Sequence, residues 1–223
     1  MNKTYKNRQE GAGFLARALE QYPLKNPIVL AIPRGGVETG YYVAEHLDCE
    51  LAVIVSRKLG YMAQPELAFG AISEGKSLYL DPRIRIPLTK DEINRTIRKE
   101  EVELARRIQE YRDGEPLPDL QDRTVILVDD GIATGGTIMA AIDSCRKMKA
   151  GRIIAAAPVA PFEMQRKLKS VADDVVITEL PEFFYAVSQA YVHFPGLTDR
   201  EVKQFLNMHK KKRQSGKTNQ VSS

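Results

Sequence analysis

The sequence predicts an α/β protein built on a doubly wound parallel sheet, and three observations carry that expectation. Four short, continuous apolar runs, 28–32, 51–55, 125–128 and 153–159, have the length and unbroken hydrophobicity of strands buried on both faces. Segments with helical spacing lie between them, and strand alternating with helix is the pattern of a parallel sheet covered on both sides. At 223 residues the chain suits one full-sized domain with a real core, and two domains of equal rank are not expected.

Residues 8–21 place Phe14, Leu15, Ala18 and Leu19 near helical spacing, a short amphipathic helix that Pro23 and Pro27 close. The first strand, 28–32, ends in Pro33-Arg34-Gly35-Gly36. Residues 37–47 form a helix that returns the chain, and the second strand, 51–55, ends at Arg57-Lys58. That is one βαβ unit with a basic cluster at the end of each strand. Residues 59–65, broken by Gly60 and Pro65, suit a mobile segment. The apolar runs 67–72 and 78–80, separated by Ser73-Glu74-Gly75-Lys76, read as a hairpin. Thr89 with Glu92 three residues on is a capping-box signature. The helix it opens runs to about Arg112, with Ile93, Ile97, Leu104, Ile108 and Tyr111 along one stripe. The stripe packs on the sheet or on a partner subunit, which leaves a homodimer open, and the charged face is solvated. Residues 113–118 are a turn-rich link to the next strand.

That strand begins the stretch VILVDDGIATGGT, 125–137, around which the chain is organised. It runs into two adjacent acids, Asp129 and Asp130, then a small-residue turn, Ala133 to Thr137, then a helix from Ile138 through Met148. Gly135 and Gly136 let the backbone take conformations closed to other residues. The orphan N–H groups and dipole of the following helix favour an anion, above all a phosphate. The paired carboxylates suit vicinal ribose hydroxyls, which donate to charged acceptors. Together these parts fit a ribose 5-phosphate. Ligands of open parallel sheets gather beyond the carboxyl ends of the strands, so both basic clusters point to the same rim as the acids. Further strands follow at 153–159 and 175–177. No GxxxxGK[ST] occurs, and no GxGxxG follows a strand.

The run resembles the 5-phosphoribosyl-1-pyrophosphate (PRPP) loop of the type I phosphoribosyltransferases, where two acids follow a hydrophobic strand and precede a Thr-Gly-Gly-Thr-like turn. The resemblance implies a type I phosphoribosyltransferase-like fold over most of residues 8–205. It implies an enzyme in which a nitrogen nucleophile displaces pyrophosphate from PRPP through a ribosyl oxocarbenium-like state. Asp129 and Asp130 would be the catalytic acids holding the ribose hydroxyls. Ala133, Thr134, Gly135, Gly136 and Thr137 would hold the 5-phosphate, and Arg34, Gly35, Gly36, Arg57 and Lys58 the pyrophosphate. Mg²⁺ would be the cofactor, bound through PRPP with Asp129 and Asp130 as the carboxylates within reach. The resemblance also implies a flexible loop closing over the reaction from the hairpin region. A small C-terminal hood, 180–197, would offer Phe183, Phe184 and Tyr185 as a stacking surface for a base, with Glu182, Ser188 and Gln189 the nearest polar groups. Partners are then PRPP and a small-molecule acceptor. Hypoxanthine and guanine salvage is not expected. In those relatives an Asp usually stands where Ala133 is, and a Lys follows the next strand, whereas 153–159 here offers none. The alternative is a PRPP- or nucleotide-sensing protein with little or no turnover, since fold does not fix function.

Composition fits a soluble globular protein, 43% hydrophobic and 28% charged. No run of about twenty apolar residues occurs and the first ten residues hold no apolar signal core, so a cytoplasmic protein without a membrane span is expected. Cys49 and Cys145 imply no disulfide framework and read as core fillers. The net charge is +4, but residues 209–223 carry five basic side chains and no acid, leaving the rest of the chain nearly neutral. The expected organisation is therefore a phosphoribosyltransferase domain, 1–208, and a disordered basic tail, 209–223, with nucleic acid not a partner.

Overall fold

The structure is a computed structural model and describes residues 4–62, 64, 67–84 and 88–220, without the side chains of 216–220. Part of the segment expected to be mobile, including Pro65, lies outside these residues, as does 221–223. In chain order the elements are α1 (Arg8–Leu19), β1 (Ile28–Ala31), α2 (Gly35–His46), β2 (Glu50–Val53), β3 (Ser56–Gly60), β4 (Ala68–Ser73) and β5 (Ser77–Leu80). Then come α3 (Lys90–Arg112), β6 (Thr124–Val128), α4 (Gly136–Lys147), β7 (Arg152–Val159), α5 (Phe162–Leu168), β8 (Asp174–Glu179), a 3-10 turn (Val187–Ala190) and α6 (Asp199–Gln220).

Five strands form the parallel sheet in the order β2-β1-β6-β7-β8. Its two faces follow from the strand period of two. Leu30, Leu127 and Ala155 pack with Ile138, Ile142 and Cys145 of α4. Their neighbours Val29, Ile126 and Ile154 pack with Leu15 and Ala16 of α1 and Val43 of α2. From β1 the chain crosses through α2 to β2 on one side, while β6 lies on the other. The order thus reverses between β1 and β6, whose ends Ala31 and Val128 are register partners, and a crevice opens there.

The second strand is shorter than its apolar run. It ends at Val53, and Arg57 and Lys58 lie on β3 in a separate antiparallel sheet, β3-β4-β5, instead of at the end of a parallel strand. Polar partners hold the corner: Val55 N–H donates to Glu74 Oε1 at 2.8 Å, and Ser73 Oγ donates to the Val55 carbonyl at 3.1 Å. The expected hairpin is β4-β5, and the expected capping box opens α3 at Thr89. The stripe of α3 is covered within the chain. Ile93, Ile97 and Leu104 pack on Leu59, Tyr61 and Phe69, and Ile108 and Tyr111 pack near Val53 and Val202.

The disordered tail expected from residue 209 is corrected by α6, which runs through that position to Gln220. Thr198 and Glu201 cap it reciprocally, Thr198 N–H donating to Glu201 Oε2 at 2.8 Å. Its packed stripe of Val202, Phe205 and Leu206 continues at helical spacing to His209, which is 4% exposed. His209 Nδ1 meets Glu45 Oε1 at 2.8 Å, and Lys212 pairs with the same carboxylate. Polar residues here continue a packed face, so the folded body extends beyond 208. Cys49 and Cys145 are free and buried. Among the described residues no helix is long and apolar enough to cross a membrane.

Candidate functional site

Strand β6 delivers Asp129 and Asp130 to the crevice, and the start of α2 lies directly against them. A Cβ added at Gly35 would fall 1.8 Å from Asp130 Oδ2, and one at Gly36 would fall 2.9 Å from the Val128 carbonyl and 3.0 Å from Asp129 Cα. This close approach is the physical reason for two glycines after Arg34. The Pro33–Arg34 peptide bond is cis.

The two acids sit in different environments. Burial, and then the charge of Asp130, push the Asp129 carboxyl well above the ordinary carboxylate range, opposed by the Asp130 N–H donated to Asp129 Oδ1 at 2.9 Å and by Lys58. Asp130 is also raised by burial, but Arg8 works against that shift through an ion pair, Nε to Oδ2, of 2.7 Å. Arg8 is not among the residues the sequence motifs single out, although its signal is present. It is the first member of the buried stripe Arg8, Gly11, Ala12, Leu15, Ala16 and Leu19, a charge on an otherwise apolar face.

Beyond the acids the backbone turns into α4. Gly131 lies against Val187 of the hood, an added Cβ falling 2.3 Å from Cγ1. Ala133 and Thr134 are exposed. Gly135 has φ +75° and caps α4, whose first turn carries no acidic residue. Thr134, Gly135, Gly136 and Thr137 therefore present an uncompensated helix N-terminus. Thr134 and Gly136 also line a niche with Lys58, Tyr79, Asp81 and Arg83.

A cleft of about 860 Å³ adjoins this turn, bounded by Pro33, Arg34, Arg57, Lys58 and Thr137, and by Arg95, Lys99 and Arg107 of α3. The structure thus brings both basic clusters, the acids and the turn to one rim. Arg57 is held by Glu100, Nε to Oε2 at 2.8 Å, while Lys58 is exposed. Arg34 is half-exposed and lies 4.0 Å from Asp199 at the start of α6. The α3 side chains are additions: a helix face expected to be solvated forms the far wall of the cleft.

The hood departs from the expected stacking surface. Phe183 and Tyr185 are 65% and 87% exposed, but Phe184 packs inward with Tyr5 and Val159, so the three do not share a face. Gln189 is consumed by the turn. Its Oε1 accepts from the N–H groups of Tyr185 at 2.7 Å and Ala186 at 3.2 Å, and its Nε2 donates to the Phe183 carbonyl at 2.6 Å. The hood instead reaches the acids through Tyr191, whose hydroxyl donates to the Asp130 carbonyl at 2.6 Å. Among the described residues no group of three His, Cys, Asp or Glu side chains would hold a metal ion.

Comparison with known proteins finds relatives over most of the chain. The family model described as a phosphoribosyl transferase domain matches residues 2–195. Two Mycobacterium tuberculosis proteins, from strains CDC 1551 and H37Rv, each named "Putative phosphoribosyl transferase", are 39% identical to this chain over 207 residues, 92% of its length. The chain spans about half the length of these curated relatives, 47%. The crystal structure of TT1426 from Thermus thermophilus is similar over 91% of this chain and 97% of its own, with 35% identity and a TM-score of 0.78.

Proposed function

The chain belongs to the phosphoribosyl transferase domain family, and from that premise we propose that it transfers the 5-phosphoribosyl group of PRPP to a nitrogen acceptor with release of pyrophosphate. The observation that carries the reading is the acid pair at the sheet's switch point, set between the glycine-opened start of α2 and the acid-free start of α4. In this reaction the bond from the anomeric carbon to pyrophosphate breaks as the bond to nitrogen forms, and the proton of the acceptor N–H passes to solvent. Positive charge grows on the ribose ring and negative charge on the leaving group. Asp129 and Asp130 hold the ribose hydroxyls and face the first. Arg34, Arg57, Lys58 and the α3 side chains Arg95 and Lys99 face the second. The α4 amides anchor the 5-phosphate. Catalysis is then positioning plus a preset electrostatic field.

The donor set fits Mg²⁺. Asp129 and Asp130 are hard oxygen donors at the rim of the crevice, and the lack of a carboxylate cage among the described residues suits a cation held largely by substrate oxygens. Bound there, Mg²⁺ would neutralise pyrophosphate charge. A cytoplasmic place of action accords with a soluble donor and acceptor. The test is incubation of the purified protein with PRPP, Mg²⁺ and a panel of purines, pyrimidines and amines, read by mass. One acceptor should gain a phosphoribosyl group with matching pyrophosphate. Binding of PRPP with no product from any acceptor would favour a sensing role instead.

A further inference from the structure

Arg8 is 3% exposed, and a guanidinium so placed needs its N–H groups answered. Nε donates to Asp130 Oδ2 at 2.7 Å, and Nη1 donates to the Pro195 carbonyl at 2.8 Å and faces Glu38 Oε2 at 3.5 Å. The Phe194 ring covers the guanidinium, its centroid 3.9 Å from the central carbon, and stacks on Tyr191 with centroids 4.8 Å apart. Tyr191 closes the circuit through its bond to the Asp130 carbonyl. The hood thus reaches the acids twice, and Arg8 is the link that touches the carboxylate itself.

We propose that Arg8 is a positioning residue for the acid pair, fixing Asp130 and the hood backbone at Pro195 with one rigid fork, so that hood docking and the orientation of Asp130 are a single event. Oδ2 is enclosed between Arg8 and Gly35, so Arg8 fixes which face of the Asp130 carboxyl is turned away from the hood. This role rests on the ribose-acceptor reading of the acids, whereas the coupling between Arg8 and the hood is testable without ligand. The amides of Val192 and His193 donate to the carbonyls of Tyr5 and Lys6, so their exchange reports whether the strap 190–195 stays docked.

Hydrogen–deuterium exchange of the free protein and calorimetric titration with PRPP and Mg²⁺ would be compared for wild type, Arg8→Met, Arg8→Lys, Asp130→Asn and the Arg8→Met, Asp130→Asn double variant. Arg8→Met should raise exchange at Val192 and His193 and weaken PRPP binding, each by roughly tenfold, the scale of one charge-assisted bond. The double variant should be no worse than Asp130→Asn alone, because once Asp130 has lost its charge the Arg8 link is already cut. Arg8→Lys, which keeps the charge but not the fork, should recover PRPP binding in part. Unchanged exchange and affinity in Arg8→Met, or additive losses in the double variant, would overturn the role. If the wild type fails to bind PRPP while the exchange response holds, the ribose reading falls and the Arg8 link stands. Where Arg8→Met does not fold, Arg8→Lys and Tyr191→Phe carry the same comparison.

Discussion

At the residue scale, Asp129 and Asp130 are chemically identical neighbours with opposite expected responses to the same substitution. The raised Asp129 carboxyl binds its proton more tightly in the folded than in the unfolded chain. Its contribution to stability is therefore present in acid and lost as pH rises through the folded value, so the burial that raises it works against folding at neutral pH. Asp129→Asn should raise Tm at pH 7. Asp130→Asn should lower it, because Arg8 is buried and loses its 2.7 Å partner, a cost of about 1–3 kcal/mol. Thermal unfolding followed by circular dichroism checks both, and shifts of the same sign would contradict the assignment. The acids and glycines were legible in the sequence because their motif is local: strand, acids, turn and helix are contiguous. Arg8 was not, since its carboxylate lies 122 positions away. Arg95 and Lys99 of α3 sit on a charged face whose neighbours only the tertiary fold supplies.

At the element scale, α6 belongs to the folded body. Ending the chain after Met208 would remove His209 and Lys212 and leave the half-enclosed Glu45 without two partners. Tm should fall by about 4 °C or more, and an unchanged melting curve would show that the contact contributes nothing. Composition misled here: a run of Lys and Arg read as solvated chain, while spacing from Val202 through Phe205 and Leu206 to His209 continues one face. The other elements were legible from apolar runs and caps, as with the Thr89 capping box of α3. The corner at Val55 was not, because 51–55 is apolar throughout and only the contacts from Ser73 and Glu74 end the strand at Val53. As a result β3 leaves the parallel sheet and carries Arg57 and Lys58 across the cleft.

At the scale of the whole molecule, one rim collects charge of both signs, acids just past β6 and cations on β3, on α3 and at Arg34 before α2, as the proposed separation of a ribosyl cation from pyrophosphate would require. The acceptor side is sparsely equipped by comparison. Ala133 is exposed and has no acid–base group, and Gln189 is spent on the hood's own turn. Rejecting a close analogue takes buried polar groups that the wrong ligand leaves unpaired. Hypoxanthine and guanine should accordingly be poor acceptors, with kcat/KM below roughly 10⁴ M⁻¹s⁻¹, the lower end of the usual enzymatic range. Steady-state assays with both bases check this, and a higher value would reveal readers elsewhere in the site. The doubly wound class was legible because each crossover is local, but the convergence of α3, β3 and α6 on the β1–β6 crevice is a property of the fold alone. The most direct measurement of the central claim is calorimetric titration of PRPP with Mg²⁺ into wild type and Asp129→Asn. The account predicts saturable binding to the wild type, weakened several-fold or more in the variant, the loss of ~1.5–3 kcal/mol expected for a charge-assisted bond. Equal affinity in the two proteins, or no binding to the wild type, would contradict it.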